Sequence, residues 1–202
     1  MVGIKATAEG DRSETRRQQI LEAASECFRR YGFHGASMAT ISKTAEMSVG
    51  HIYHYFENKE AIIGAIVERD VQDVLTLFED INRSDDILDA MTGRADYGFE
   101  CHVDTELAAL ALEIAAEAAR NPKVAAIVQE ADRVKRRAIM VLLSKGLAAR
   151  GKVLSNEELE ARLEVVACLF EGLSIRTIRN PNLNREMTLS TLRRVLQFTF
   201  ES

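Results

Sequence analysis

The chain has 202 residues, of which 47% are hydrophobic and 28% are charged, and its net charge is −5 at pH 7. This composition is ordinary for a folded globular protein, and the negative charge argues against a protein that binds polyanions through bulk positive charge. We expect no signal peptide and no membrane span, because no apolar run opens the chain or reaches about 18–20 residues. Cys27, Cys101 and Cys168 are too far apart for a disulfide framework or a zinc site. We therefore expect a cytoplasmic protein with reduced cysteines and no bound metal.

Apolar residues recur at steps of three and four along almost the whole chain, which predicts an all-α fold of about nine helices and no strand. Glycines, two Asn-Pro pairs and capping serines mark the breaks between the helices. Gly32 and Gly35, for example, supply the backbone freedom that the exit from the first helix needs. The predicted helices span residues 13–31, 37–46, 48–56, 59–81, 84–101, 104–120, 122–150, 156–179 and 185–200.

The segment SVGHIYHYFENKE, residues 48–60, is rich in aromatic side chains although these make up only 6% of the chain. Such a composition is typical of a strand, but the segment is too short and too isolated between helices to pair with one. We expect a short helix that Ser48 caps and in which Ile52 and Phe56, four residues apart, share the buried face. The tyrosines and histidines of the segment must then crowd the other faces of this helix.

Two short helices that follow a longer one have the form of a helix-turn-helix, which here spans residues 37–46 and 48–56. In that unit the second helix lies in the major groove, with its N-terminal residues at the base edges. Tyrosine hydroxyls and histidine ring N–H groups suit phosphate oxygens, and Gly50 permits a close approach of the backbone. Lys59 adds a positive charge at the start of the next helix, where the helix N-terminus also favours a phosphate.

Residues 13–67 resemble the DNA-binding domain of the TetR family of bacterial transcriptional regulators. Many positions match in order and at the family's spacing, which makes the pattern far more specific than a single short motif. The chain departs from the pattern at Met47, where valine is common, and at Ile62 or Ile63, which replaces the usual leucine. The C-terminal part is similar in its length, its helical character and the segment EIAAEAARNPKVA. The matching residues are Arg17, Ile20, Leu21, Ala23, Ala24, Phe28, Gly32, Phe33, Ser37, Ile41, Ala45, Ser48, Gly50, Tyr53, Tyr55, Phe56, Lys59 and Glu60.

The resemblance implies a repressor that binds a near-palindromic operator in double-stranded DNA as a homodimer and that a small-molecule effector releases. It also implies three segments: a flexible N-terminal arm over residues 1–12, a helix-turn-helix domain over 13–58, and a helical ligand-binding and dimerisation domain over 59–202. No cofactor is expected. An all-α enzyme or carrier that retains the DNA-binding head is a further alternative, but the sequence contains no nucleophile–base pair and no Gly-rich phosphate loop.

The resemblance assigns roles in DNA binding to residues around the second short helix. Val49 is apolar, so we expect it to contact a thymine methyl group. Plain helix capping is an alternative role for Ser37 and Ser48, and core packing is one for Tyr53. The positions expected at the bases are Ser48, Val49, Gly50 and His51. The positions expected at phosphates are Ser37, Thr40, Tyr53, His54, Tyr55 and Lys59.

The helix over residues 156–179 has two apolar stripes, which indicates that it is buried on two sides. One stripe suits the core of its own domain, and Gly172 in the other permits close approach of a second helix. The resemblance favours a four-helix dimer interface, although a core helix of a monomer fits the same pattern. The predicted interface residues are Val165, Leu169, Gly172, Ile175, Leu192 and Leu196.

Three glutamates, Glu106, Glu113 and Glu117, lie on one face of the Ala-rich helix over 104–120 at steps of seven and four. Like charges four residues apart are mildly unfavourable, so this arrangement needs a reason. One reason is a pocket for a cationic, apolar effector, with Tyr97 and Phe99 as aromatic walls. The alternative is a solvated face or a set of salt bridges to arginines.

A second functional hypothesis is a DNA-bound adaptor of the same fold, whose C-terminal domain binds another protein instead of a small molecule. A closed apolar cavity would favour the ligand-responsive repressor. A large exposed apolar patch outside the dimer interface would favour the adaptor.

Overall fold

The computed structural model describes the backbone of residues 3–201 and the side chains of residues 12–200, and this part of the chain is helical without a strand. The all-α prediction is thus confirmed. Within the described part there are ten helices, because the helix predicted over 84–101 is divided in two at Arg94, whose backbone leaves helical geometry. The helices are α1 (Gly3–Gly35), α2 (Met38–Thr44), α3 (Val49–Tyr55), α4 (Lys59–Asn82), α5 (Ile87–Gly93), α6 (Ala95–Val103), α7 (Thr105–Ala118), α8 (Pro122–Ala149), α9 (Asn156–Arg179) and α10 (Arg185–Glu201).

The first helix begins earlier than the sequence predicts. Its backbone is helical from Gly3, whereas the prediction placed the N-cap at Ser13. The flexible arm assigned to residues 1–12 stays a prediction. Met1 and Val2 lie outside the described residues, as do the side chains of residues 3–11. At the other end the prediction agrees with the structure, since Gly32 leaves helical geometry with φ 71° and ψ 167°.

Serine caps begin three of the helices, as the sequence predicts. The Ser37 hydroxyl accepts a hydrogen bond from the Thr40 N–H, and the Ser48 hydroxyl accepts one from the His51 N–H. Ser155 and Glu158 form a reciprocal capping box at the start of α9. Each cap satisfies an N–H group that the helix itself leaves without a partner, which is why these helices begin where they do.

The chain divides into two compact units. Unit 1 contains the residues up to Arg69 together with Glu113–Val128, so that it combines α1, α2 and α3 with the first turns of α4, the end of α7 and the start of α8. Its core excludes water almost completely around the short helices. The largest buried apolar side chains there are Ile20, Leu21, Phe28, Ile41, Ile52, Ile62 and Ile63.

Unit 2 contains Asp70–Leu112 and the chain from Gln129 onward. In it α5, α6, α9 and α10 pack on one another, and residues of α8 complete the core. The sequence placed the domain boundary at residue 58, after the helix-turn-helix motif, whereas the compact units divide α4, α7 and α8. The functional roles assigned to 13–58 and 59–202 stay predictions. Among the described helices, none combines the length and apolar character that crossing a membrane requires.

Candidate nucleic-acid interface

A tight turn joins α2 to α3 and sets the angle between them. Glu46 in this turn has a positive φ of 53°, and the Met47 N–H donates to the Ser42 carbonyl at 2.9 Å. Ile41 on α2 and Ile52 on α3 are both fully buried in the core of unit 1. The turn and the two buried isoleucines therefore give the predicted helix-turn-helix its form.

The buried side of α3 is narrow. Ile52 and Phe56, which follows the helix, are the buried residues of this segment, while Val49, His51, Tyr53 and His54 are exposed. The Tyr53 side chain is 52% exposed, so the alternative in which Tyr53 packs in the core does not hold. The prediction that α3 cannot bury all of its aromatic residues is confirmed, since Tyr53 is exposed and Tyr55 is half-buried.

Two exposed histidines and one half-buried tyrosine on α3 contact one another and form what we call the aromatic cluster, which comprises His51, His54 and Tyr55. The ring centroids of His51 and Tyr55 are 5.3 Å apart, those of His54 and Tyr55 are 5.4 Å apart, and the two histidines stack at 6.5 Å. These contacts restrict the rings on a short helix. A restricted hydrogen-bond donor loses little conformational entropy when it binds a phosphate oxygen.

Gly50 has no intramolecular reason to be a glycine. A Cβ atom placed there would meet no other atom within 4 Å, and the residue does not have a positive φ. Glycine in a helix costs about 0.5–1 kcal/mol relative to alanine. An exposed glycine that the fold does not need fits a surface that a partner approaches closely.

The hydroxyl groups of Ser37 and Thr40 hydrogen bond to each other at 2.8 Å, and Ser37 also accepts from the Thr40 N–H at 3.0 Å. The capping role predicted for Ser37 is thus confirmed, as is that of Ser48. Both serines are exposed, and a hydroxyl can both donate and accept. Capping and a phosphate contact are therefore compatible at these positions.

The ammonium group of Lys59, another predicted phosphate contact, is engaged by Phe33 inside unit 1. Its Nζ donates to the Phe33 carbonyl and lies 4.2 Å from the centroid of the Phe33 ring. Burial lowers the pKa of Lys59, against the opposing charges of Glu60 and Glu117. An ammonium group has three donors, so a phosphate contact stays a prediction, but the structure gives Lys59 a role in holding the end of α1.

The carboxylates of Glu113 and Glu117, predicted to line an effector pocket, have partners within unit 1. Glu113 accepts a hydrogen bond from the Phe33 N–H at 2.6 Å. Glu117 is only 1% exposed and accepts from Arg120 at 2.8 Å and from Asn121 at 3.0 Å. The salt-bridge alternative of the sequence analysis thus accounts for Glu117, and no ligand is needed to explain either carboxylate.

The environment of Glu117 favours its charged form. Burial raises the pKa of this carboxyl, but the hydrogen bond from Asn121, the charge of His34, and the hydrogen bond and charge of Arg120 together outweigh burial and lower the pKa. His34 Nε2 lies 3.2 Å from Glu117 Oε2. A buried carboxylate with this many donors is a structural anchor, as a buried charge must be paired to be tolerated.

The other three predicted pocket residues belong to unit 2. Phe99 is fully buried in the core of that unit. Tyr97 is partly exposed, and its hydroxyl interacts with the Cys101 side chain. Glu106 is exposed in the first turn of α7. The five residues are thus divided between the two units. A depression of about 300 Å³ in unit 2 is open to solvent and contains none of the five; its lining residues are Asp89, Thr92, Gly93, Arg193 and Gln197.

The predicted dimer residues divide into two groups. Val165 and Ile175 on α9 are exposed, and a Cβ added at Gly172 would meet no atom within 4 Å. Leu192 and Leu196, in contrast, are buried in the core of unit 2, and Leu169 packs partly against that core. We therefore correct the prediction for α10, because its two leucines face their own unit.

The exposed apolar residues of α10 are ones that the sequence analysis missed. Met187, Val195 and Phe198 are exposed, and the Phe198 side chain is exposed by 73%. They lie at steps of eight and three, which places them on one helix face, distinct from that of Leu192 and Leu196. A comparison of the two apolar stripes of α10 reveals this second face, but periodicity alone does not show which stripe is buried.

Two protein-family models match the chain, one over the helix-turn-helix and the other over the C-terminal part. Residues 20–66 match the family model described as bacterial regulatory proteins of the tetR family. Residues 102–200 match the model described as the C-terminal part of BetI-type transcriptional repressors. The chain belongs to the TetR family. It is therefore a transcriptional regulator with a DNA-binding helix-turn-helix and not an enzyme.

Individual regulators and solved structures are similar to the chain over different lengths. The transcriptional regulator UidR of Escherichia coli K12 is 38% identical over 117 residues, which are 56% of this chain and 57% of UidR, so the match spans little more than half of that relative. The structure of GusR from Salmonella enterica is 28% identical, with a TM-score of 0.75 over 93% of this chain and 96% of GusR. FadR from Bacillus subtilis, solved with stearoyl-CoA, is 19% identical with a TM-score of 0.74 over 89% and 96%, and shows the fold alone.

Proposed function

We propose that this TetR-family regulator is a repressor that binds a near-palindromic operator as a homodimer and leaves the DNA when a small-molecule effector binds. The observation that carries the proposal is the outward surface of α3. Ile52 and Phe56 bury one narrow side, while Gly50, Tyr53 and the aromatic cluster are left for a partner. A regulator of this kind acts in the cytoplasm, where the chromosome lies.

The surface of α3 suits duplex DNA in two ways. Its first turn carries Ser48, Val49 and Gly50, which are small and exposed, so that the helix N-terminus can enter the major groove closely. Its flanks carry hydroxyl and imidazole groups, which can donate to the phosphates on either side of the groove. Bulk charge contributes little, since the whole chain is acidic, and placed hydrogen bonds must therefore supply much of the affinity.

Dimerisation is supported by exposed apolar stripes on α9 and α10, two helices that pack on each other in unit 2. We call these stripes the α9–α10 face and assign to it Val165, Gly172, Ile175, Val195 and Phe198. Large apolar side chains that recur on one face of a helix and stay exposed are a feature of interaction sites. A second copy is the proposed occupant, because a near-palindromic operator requires two recognition helices related by a two-fold axis.

Repression rather than activation is supported by the family model that matches residues 102–200, which describes repressors. For the effector we propose a small molecule that binds within unit 2. Tyr97 and Glu106 remain proposed contacts, since both are exposed there. Phe99 is not proposed because it fills the core of unit 2, and Glu113 and Glu117 are not proposed because they belong to unit 1. The adaptor alternative requires an exposed apolar patch apart from the α9–α10 face. Three other exposed apolar residues are Val141 on α8, Leu107 on α7 and Val153 in the segment between α8 and α9.

The decisive test begins with the selection of genomic DNA fragments by the purified full-length protein. We expect a recurring near-palindromic sequence, and the gene beside it will indicate candidate effectors. Binding of the selected duplex is then measured by fluorescence anisotropy, and subunit number by sedimentation equilibrium. A protein that stays a single subunit at micromolar concentration, or that binds no duplex at low ionic strength, would refute the proposal. Capture of DNA without release by any small molecule would favour the adaptor.

A further inference from the structure

The end of α1 is held by a side chain from a helix far away in the sequence. Gly32 breaks the helical geometry, so the N–H of Phe33 must find a partner outside the regular helical hydrogen bonds. It donates to the Glu113 carboxylate at 2.6 Å. The same carboxylate lies against Gly32, where an added Cβ would come within 3.2 Å of it. Glu113 therefore supplies the acceptor that the break in α1 makes necessary, and it lies beside a residue that has no Cβ atom.

Glu117, on the same face of α7 as Glu113, contacts His34, the residue after Phe33. Glu117 follows Glu113 by one helical turn on α7, and its Oε2 lies 3.2 Å from Nε2 of His34. Arg120 and Asn121 orient this buried carboxylate by donating hydrogen bonds to it. Lys59, at the start of α4, donates to the Phe33 carbonyl. The exit of α1 is thus bound by two carboxylates of α7 and one ammonium group of α4.

This exit leads directly into the predicted DNA-binding surface. Ala36 is buried and its N–H donates to the Gly32 carbonyl at 3.0 Å, and the next residue is Ser37, the N-cap of α2. No flexible linker separates the bound segment from the helix-turn-helix. A displacement of Phe33 and His34 must therefore move α2, and with it the turn into α3.

The helix that supplies both carboxylates belongs to both compact units. Residues 105–112 of α7 are part of unit 2, and the residues from Glu113 are part of unit 1. A continuous helix transmits a shift or a rotation from one end to the other. We propose that Glu113 and Glu117 couple α7 to the helix-turn-helix, so that a change at residues 105–112 alters DNA affinity through the exit of α1. The coupling rests on the proposed function, and it assigns to these glutamates a positioning role in regulation.

Reciprocity supplies a test that does not need the effector. If a change in α7 alters DNA affinity, then DNA binding must alter the state of α7 to the same extent. The probe is the duplex that the wild-type protein selects, and the measurement is amide hydrogen exchange of the full-length protein with and without it. We expect the duplex to slow exchange at residues 105–112 by about 5-fold or more, in line with typical coupling between sites.

Three variants interrupt the coupling to different extents. Glu113→Ala removes the acceptor for the Phe33 N–H, and Glu113→Gln keeps an acceptor oxygen without the charge. His34→Ala removes one of the partners of Glu117, the one that belongs to the exit of α1, at an exposed position. The matched control is Glu160→Ala, which removes one exposed glutamate in unit 2 and leaves the α1 exit intact. Circular dichroism verifies folding, and His34→Ala serves if Glu113→Ala does not fold.

We expect the duplex to change exchange at residues 105–112 least in Glu113→Ala, to an intermediate extent in Glu113→Gln, and as in the wild type in Glu160→Ala. DNA affinity should change by about 5- to 150-fold in Glu113→Ala, which is the range of typical coupling. Variants that lose thermal stability but keep both the wild-type affinity and the wild-type exchange response would overturn the coupling and leave the proposed function intact. A wild-type protein that binds no duplex would refute the proposed function itself, and the coupling with it.

Discussion

The replacement of Gly50 by alanine separates the needs of the fold from those of DNA binding. The added methyl group would meet no atom of the protein within 4 Å, and the residue lies in the first turn of α3 without a positive φ. Alanine is favoured over glycine in helices by up to about 1 kcal/mol, so the free energy of unfolding should stay the same or rise. For a domain of this size, a gain of 1 kcal/mol corresponds to a rise in Tm of about 2–4 °C.

The same methyl group would stand between α3 and the groove that we expect it to enter. One mismatched base pair in a binding site typically costs about 1–3 kcal/mol. We expect a steric conflict at one position of α3 to cost a similar amount, so Gly50→Ala should weaken binding of the selected duplex by about 5- to 150-fold. Fluorescence anisotropy at a fixed salt concentration measures this change, because the affinity of a phosphate-binding protein depends strongly on salt.

Gly93→Ala is the matched control. Gly93 is exposed at the end of α5 in unit 2, and a Cβ there also meets nothing within 4 Å. This variant should gain comparable stability and bind DNA like the wild type. Equal DNA affinity in both variants would show that DNA does not approach α3 at Gly50. A Gly50→Ala variant that fails to fold would contradict the steric reasoning from the structure.

Four further variants test the core, the dimer interface, the buried carboxylate of Glu117 and the contacts of Lys59. Leu192→Ala should lower the free energy of unfolding by about 2–5 kcal/mol in urea denaturation. Phe198→Ala should leave the fold intact and raise the dimer dissociation constant in sedimentation equilibrium. The α9–α10 face would be refuted if Phe198→Ala destabilised the fold and Leu192→Ala weakened only the dimer. Because the folded pKa of Glu117 lies below its usual value of 4.5, its stabilisation is present above about pH 4.5 and is lost as pH falls through the folded pKa. Glu117→Gln should therefore reduce the dependence of stability on pH between about 3 and 5, and an unchanged profile would count against the anchor. Lys59→Ala should cost about 1–2 kcal/mol of stability, as it removes a charged hydrogen bond to Phe33. If Lys59 also contacts a phosphate, the variant should lower the slope of log DNA affinity against log salt concentration by about one. An unchanged slope would show that Lys59 acts only in holding the end of α1.

The sequence was sufficient for features that depend on neighbours in the chain. Helix caps at Ser37 and Ser48 were predictable because each serine bonds an N–H three residues away. The outward position of Tyr53 follows from the same local logic, since Ile52 and Phe56 already fill the buried side of a very short helix. The break at Gly32 was predictable because few other residues adopt its backbone conformation.

Tertiary structure alone decided which of two equivalent faces is buried and which distant groups meet. On α10, the stripe with Leu192 and the stripe with Phe198 are both apolar, and only packing shows that the first fills the core. Glu113 and Glu117 were recognisable as an arrangement that needs a reason, but the partners that supply it, Phe33 and His34, lie about eighty residues away along the chain. Periodicity records the spacing of side chains along one helix, and it contains no information on what the neighbouring helix brings to that face.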